Sequence, residues 1–551
     1  MTLAANPRGR VVKRLSDKHW GKSVSNRFPG RRLSKLRLGV LVLVLLALTG
    51  GSYFGLRSFQ DANAASSIPS VFSGYVDVTA TPRFAFESPS TPEAKGAVLS
   101  FIVSDKQNPC TPSWGAAYSL AGAETELDLD RRIARLRQIG GTVSVSFGGL
   151  SNSELAVECT DQSRLTGAYR EVVERYDLRS IDLDVEGAAL ADTASIDRRG
   201  QAQAALQQDR KSNGKNLDVW LTQPADPAGL TQAGRDAVAR TLRAGVELAG
   251  VNIMTMDFSA SKAAGQTMYQ ASASAADAAH TQLQALYRDN GQDLGSDTAW
   301  RKLGITPMIG QNDIAGEIFT LEDAAALNKY AKSKGVGRVS MWSLNRDRTC
   351  GSNYPDVTKV SDSCSGVRQG DVHFSTVLGA DVIPTMAAEP QVTAASATPT
   401  VTDDPSTSPY PVWTQTARYV SGDRTVWHGN VYEAKWWTQG DSPDNPVEQG
   451  ATVPWKLIGP VLPGDRPSPR TTIAAGTYPD WSPTTVYQRG SRILFDGYAF
   501  EAKWWTQSDS PQAMLEGAPD SPWMKLTPAQ LQAPAATATA TPTPTPTPTG
   551  K

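Results

Sequence analysis

Short apolar runs recur through the middle of the chain at 73–79, 96–103, 142–147, 180–186, 217–223, 250–256, 304–309 and 337–343. Each has the length of a buried strand. Longer segments such as 128–139, 163–176 and 231–248 separate several of them and carry apolar residues at helical spacing. Eight such units between residues 70 and 385 predict an α/β fold, a closed (β/α)8 TIM barrel. An open doubly wound sheet would call for a GxGxxG phosphate turn after its first strand, and none follows residue 79.

Beyond 385 the pattern breaks. Segments 386–409 and 461–476 are rich in Thr, Ser, Pro and Ala, and 529–551 ends in a Thr-Pro repeat. Such compositions bury no core and predict extended, flexible linkers and a disordered tail. They isolate two small all-β modules, 410–460 and 477–528, which repeat each other. A shift of 68 residues carries Trp413 onto Trp481, Tyr419 onto Tyr487 and Gly429 onto Gly497 without a gap. The same shift superposes Glu433-Ala434-Lys435-Trp436-Trp437-Thr438-Gln439 on Glu501-Ala502-Lys503-Trp504-Trp505-Thr506-Gln507. Nine of the 14 tryptophans fall in this pair, so the tryptophan excess belongs to the modules.

The formal net charge of -1 is an average over unlike parts. Residues 1–37 hold eleven basic side chains against one acid, Asp17; the rest of the chain has 43 basic and 54 acidic residues. The uncharged run 38–56 is just long enough to span a bilayer. Its basic flank predicts a cytoplasmic tail with everything after Leu56, beginning with a 57–69 linker, outside. A cleavable signal peptide ending near Ala62-Asn63-Ala64 is the alternative. Either reading makes the protein extracellular, secreted or membrane-anchored. In an oxidising compartment Cys110, Cys159, Cys350 and Cys364 are expected to form two bridges. Of three connectivities, Cys110–Cys159 with Cys350–Cys364 is favoured, because the second closes a short loop contributing about 3 kcal/mol. Near-neutral charge argues against nucleic acid, and the four scattered histidines show no zinc spacing. No cofactor is expected, and a monomer is.

The run Ile181-Asp182-Leu183-Asp184-Val185-Glu186 alternates apolar and acidic residues. On a strand the three carboxylates share one face and the apolar residues pack outward. Three acids crowded inside a barrel must share protons, which raises at least one pKa into the range a general acid needs. Glu186, nearest the C-terminal end, is best placed to reach a substrate.

With these residues in view, 70–385 resembles glycoside hydrolase family 18, the chitinases and related endo-N-acetylglucosaminidases. Ser146-Phe147-Gly148-Gly149 stands where the family has SxGG, and Asp182-x-Asp184-x-Glu186 matches DxDxE. Met254-Thr255-Met256-Asp257 replaces MxYD, and Trp342 ends the last strand where the family keeps a sugar-stacking tryptophan. The resemblance implies hydrolysis of β-1,4-linked N-acetylglucosamine with the substrate's 2-acetamido oxygen as nucleophile. It assigns Glu186 to protonation of the glycosidic oxygen, Asp184 to the acetamido N–H and Asp182 to holding a proton for Asp184. Trp342 would floor the reacting sugar. Arg179-Ser180 replaces the family's Asp-Gly, and Met256 stands where most members have a tyrosine that donates to the acetamido carbonyl. Methionine cannot donate that bond, so Asp257, Gln223, Gln311 or Tyr75 is expected to supply a polar substitute, with Met256 lining the cavity.

The modules closely resemble carbohydrate-binding families 5 and 12, which bind chitin. Strand alternation predicts Trp436 and Trp504 in the core and Trp437 and Trp505 as exposed sugar platforms. The expected partner is therefore chitin or a related N-acetylglucosamine polymer. Rival readings are a chitin-binding adhesin with an inactive barrel and an endo-N-acetylglucosaminidase acting on another glycan.

Overall fold

The computed structural model describes residues 38–42, 57–382 except 353 and 355, 402–443, 453–467, 476–526 except 516, 517 and 519, and 530–531. The chain divides into two units, Met1–Gln60 and Asp61–Lys551. In the first, 38–42 and 57–60 are helical. Most of the expected membrane span, together with the basic tail, the greater part of the 386–409 linker and nearly all of the Thr-Pro tail, lies outside the described residues. Among the described residues no helix is long and apolar enough to cross a membrane.

The second unit opens with the barrel. Its strands are β1 (Val71–Asp77), β2 (Gly96–Ser104), β3 (Thr142–Gly148), β4 (Ser180–Asp184), β5 (Asp218–Asp226), β6 (Leu248–Met254), β7 (Leu303–Thr306) and β8 (Arg338–Met341). All eight pair in parallel, each with the next, and β1 also pairs with β8, so the sheet closes. Outer helices include α1 (Leu129–Gln138), α2 (Gln162–Arg175), α3 (Thr193–Ser212), α4 (Gln232–Arg243), α5 (Met268–Asp289) and α6 (Leu321–Lys334). On α1, Leu129, Ile133 and Leu136 recur at helical spacing and are buried against the sheet. Capping boxes start α5 at Thr267/Gln270 and α6 at Thr320/Asp323. The expected helix 231–248 stops at Arg243, because Gly245 turns the chain at φ 90° and Leu248 opens β6.

Both favoured disulfides form, with Cα–Cα separations of 4.7 Å for Cys110–Cys159 and 5.0 Å for Cys350–Cys364. Each ties down a loop at the C-terminal end of the barrel.

The modules share one architecture. The first has β9 (Arg424–Trp427), β10 (Asn430–Ala434) and β11 (Trp455–Pro460); the second has β12 (Arg492–Phe495), β13 (Tyr498–Ala502) and β14 (Trp523–Lys525). In each, two residues at positive φ join the first hairpin: His428-Gly429 and Asp496-Gly497. That is the turn a right-twisted two-residue hairpin requires, and it explains the repeated glycine. The expectation of modules on flexible linkers is corrected at one joint. Residues 461–467 are ordered, and the first module lies against α1 of the barrel, with Asp465 held by Arg131. Composition marked this stretch as linker, but a composition says nothing of a single well-placed ion pair.

Candidate active site

The period-two rule holds along β4. Ile181, Leu183 and Val185 pack in the hydrophobic core, while Asp182 and Asp184 are buried in the barrel interior. The strand ends at Asp184, but Glu186 keeps extended backbone (φ -142°, ψ 179°) as it enters the next short helix. The alternation therefore reaches Glu186.

The loop after β3 is built to fit against this strand. Gly149 N–H donates to the Asp184 carbonyl at 3.1 Å. A Cβ on Gly148 would lie 2.0 Å from that same oxygen, so only glycine fits. Ser146 Oγ donates to Asp182 at 2.8 Å. A Cβ on Gly149 would meet the Phe101 ring at 3.1 Å, and Phe101 stacks on Trp342 with centroids 5.6 Å apart. The other ring beside Trp342 is Tyr75, tilted at 6.1 Å. Trp342 is half-buried.

Asp182 is the hub of a buried network. Oδ1 accepts from Thr222 Oγ1 at 2.7 Å and Arg338 Nη1 at 2.8 Å; Oδ2 accepts from Ser146 Oγ at 2.8 Å and Tyr75 OH at 3.0 Å. Asn252 donates to Tyr75 OH and Thr222 Oγ1, and Thr306 donates to Asn252. Arg338 also donates to Ser340 and lies over Trp220 at 5.3 Å. Every barrel strand but β2 contributes to this floor. Each Asp182 oxygen accepts two hydrogen bonds, and one of the four comes from the Arg338 guanidinium. A fully buried carboxylate needs such partners.

Burial, then the charges of Glu186 and Asp182, push the Asp184 carboxyl well above its ordinary range, against the pull of Arg338. Its Oδ1 is buried without a hydrogen-bond partner. Burial, then the charge of Asp257, push Glu186 up to about 7. Asp257 itself is raised by burial and by Asp313. It stands at φ 51°, and its Oδ1 accepts from the N–H of Asp313 and Ile314 at 2.9 and 3.2 Å. Glu317 braces the same loop by accepting from the N–H of Phe258 and Ser259 at 2.9 and 2.8 Å. Met256 is half-buried beside it.

The other expected polar substitutes lie elsewhere. Thr222 takes the inward position on β5, so Gln223 points outward against α4, where a Cβ on Gly234 would be 3.2 Å from its side-chain oxygen. The Tyr75 hydroxyl is committed to the buried network. Gln311 is buried with its side chain against Gly366, and its carbonyl accepts from Arg346. Of the expected set, Asp257 is the one that approaches Glu186. Arg338, Thr222, Asn252 and Phe101 were not expected; the signal for Arg338 was a lone basic residue opening an otherwise apolar strand.

In the modules, Trp437 and Trp505 are 46% and 56% exposed, as alternation predicts. Trp504 is 48% exposed, not core, and Trp436 is half-buried. The strands end at Ala434 and Ala502, and the chain bends before these residues, so alternation no longer applies. Lys435 and Lys503 lie over Trp436 and Trp504 at 5.0 and 4.7 Å. The module cores are filled instead by Trp455 against Tyr419 and Trp523 against Tyr487, edge to face at 4.9 and 5.0 Å.

Residues 480–524 match the model of carbohydrate-binding module family 5/12. The chain is 38% identical over 261 residues to "Probable bifunctional chitinase/lysozyme" of Escherichia coli (strain K12), covering 46% of this chain and 28% of that protein. It is 36% identical over 255 residues to "Endochitinase 11" of Metarhizium anisopliae, covering 45% of this chain and 47% of that protein. The chain thus spans less than half the length of these curated relatives. Among solved structures, the catalytic domain of the hyperthermophilic chitinase from Pyrococcus furiosus is 26% identical with a TM-score of 0.48, over 56% of this chain and 94% of that one.

Proposed function

We propose that the protein is an extracellular chitinase that hydrolyses β-1,4 bonds between N-acetylglucosamine units with retention, through substrate assistance. The observation that carries the reading is the inward pair Asp184 and Glu186, both with raised pKa, above a floor in which Asp182 is paired with Arg338. Glu186, poised at about 7, is protonated in part at neutral pH and delivers that proton to the glycosidic oxygen. Asp184, with one buried oxygen unpartnered, accepts the acetamido N–H and turns its carbonyl towards the anomeric carbon. The resulting oxazolinium ion is then opened by water that Glu186 deprotonates. Arg338 holds Asp182 in place. Trp342, backed by Phe101, floors the reacting sugar; Asp257 and Met256 line the facing wall.

The names of the chitinase relatives support this substrate class, and the family 5/12 match supports chitin as the polymer bound. The first module is read as a second copy on the strength of the repeat and the shared strand plan. Trp437, Trp505 and Trp504 present flat faces for sugar rings, with Trp436 flanking them. Two disulfides suit an oxidising exterior. The mechanism is tested by chemistry that only substrate assistance requires. Fully N-acetylated chito-oligomers should be cleaved, and the same oligomers stripped of their acetyl groups should not. Equal cleavage of both would sink the acetamido role.

A further inference from the structure

The two copies of the repeat differ where the first meets its neighbours. Arg424 and Arg492 are equivalent, and each pairs with the glutamate across its hairpin, Glu433 or Glu501. Arg424 does more. Its guanidinium donates to both carboxylate oxygens of Asp128, at 2.8 and 2.5 Å, just ahead of α1. Arg131, one turn along, forks onto Asp465 at 3.0 and 3.1 Å and donates to the Pro460 carbonyl. Asp128 and Arg131 are both buried. A Cβ on Gly459 would lie 2.6 Å from the Arg131 carbonyl oxygen, and the second copy has Thr527 at that position.

On its other side the first module grips the second. Asp423 accepts from Lys525 Nζ at 2.6 Å and from Tyr498 OH at 3.2 Å. Val420 is buried in the second module's own core, and Ser421 N–H donates to the Leu515 carbonyl. The equivalent positions of the second copy are Ser491, Gln488 and Arg489, which lack the carboxylate of Asp423 and the apolar side chain of Val420. Forked arginine–carboxylate pairs fix orientation as well as distance, and buried ion pairs hold only in one geometry.

We infer that the first module is a clamp: Arg424–Asp128 and Arg131–Asp465 seat it on the flank of the barrel, Asp423 seats the second module on it, and the docked whole sets the orientation of the barrel on an insoluble polymer. The modules then act as a fixed jig, not as floats on a tether. This rests on the glycosidase reading above.

The test is the full chain with Asp128→Asn and Asp465→Asn together. Asn tolerates the left-handed backbone of Asp128 (φ 52°), and a cooperative thermal melt checks that the barrel stays folded. A second variant, Lys525→Gln, loosens only the outer module. Small-angle scattering should show the double variant expanded. Its release of sugars from insoluble chitin should fall about tenfold, while cleavage of soluble oligomers stays within about twofold of the parent. Lys525→Gln should give a smaller loss of the same kind. No expansion would overturn the clamp; expansion with unchanged insoluble-chitin activity would overturn its orienting role. A parent chain inactive on soluble oligomers would sink the glycosidase reading instead, and scattering would still report on docking.

Discussion

The barrel and the modules break the ordinary rule of burial in opposite directions. In the barrel the residues proposed to function are charged and buried: Asp182, Asp184 and Arg338 are withdrawn from water. In the modules they are large and apolar, and exposed: Trp437, Trp504 and Trp505. Both arrangements cost stability, since charges favour water and indoles avoid it. The barrel offsets its cost with seven strands of hydrogen-bond partners, and the payoff is a carboxyl poised near neutrality. The modules offset theirs with a second, buried tryptophan each, Trp455 and Trp523, whose indole N–H is satisfied by the Asp441 or Asp509 carbonyl. Chemistry needs a dry, charged interior; adhesion to a flat polymer needs only a dry surface waiting to be covered.

The sharpest way to break the contrast is to remove the countercharge under the acids. Arg338→Met leaves Asp182 buried and unpaired, and should lower stability by about 3–5 kcal/mol in urea unfolding. Adding Asp182→Asn should recover most of the loss; no recovery would mean that Arg338 acts by packing alone. Next in size, Asp184→Asn should cost about 10²–10³-fold in kcat, with the fold intact by circular dichroism. Trp437→Ala with Trp505→Ala should weaken binding to insoluble chitin roughly tenfold and spare soluble oligomers. A misfolded variant would instead place those indoles in the core.

Three smaller effects follow from proton balance. Glu186 must be protonated to act as the acid, so kcat/KM should fall as pH rises through about 7. Asp257→Asn removes a negative charge that raises Glu186, and should move that limb to lower pH by less than about one unit. Because the folded pKa of Glu186 is raised, its contribution to stability is complete below the ordinary glutamate range and is lost as pH rises to about 7. Glu186→Gln should therefore raise Tm at pH 8 and leave it nearly unchanged at pH 4.

Much of this was legible in the chain because two periodicities carry it. Period two along 180–186 placed Asp182, Asp184 and Glu186 on one face, and the strand–helix alternation gave eight strands in the right order. The same rule failed where the strand under it ended: Trp436 and Trp504 follow a bend, and a sequence does not mark the last paired residue. Gln223 was readable and misread, since Thr222 and Gln223 cannot both face inward. The Arg338–Asp182 pair lies 156 residues apart in the chain and exists only because the barrel closes. The docking of the first module is of the same kind, resting on Asp128 and Arg424 rather than on any local pattern.

Glu186 is proposed as the acid of a glycosidase, and one comparison tests that role directly. Release of oligosaccharides from colloidal chitin should be measured for the full chain and for Glu186→Gln, alongside pull-down of each by the same chitin. Release by the parent, none above background by the variant, and equal pull-down are expected. Equal release by both, or none by either while both bind, would contradict that role.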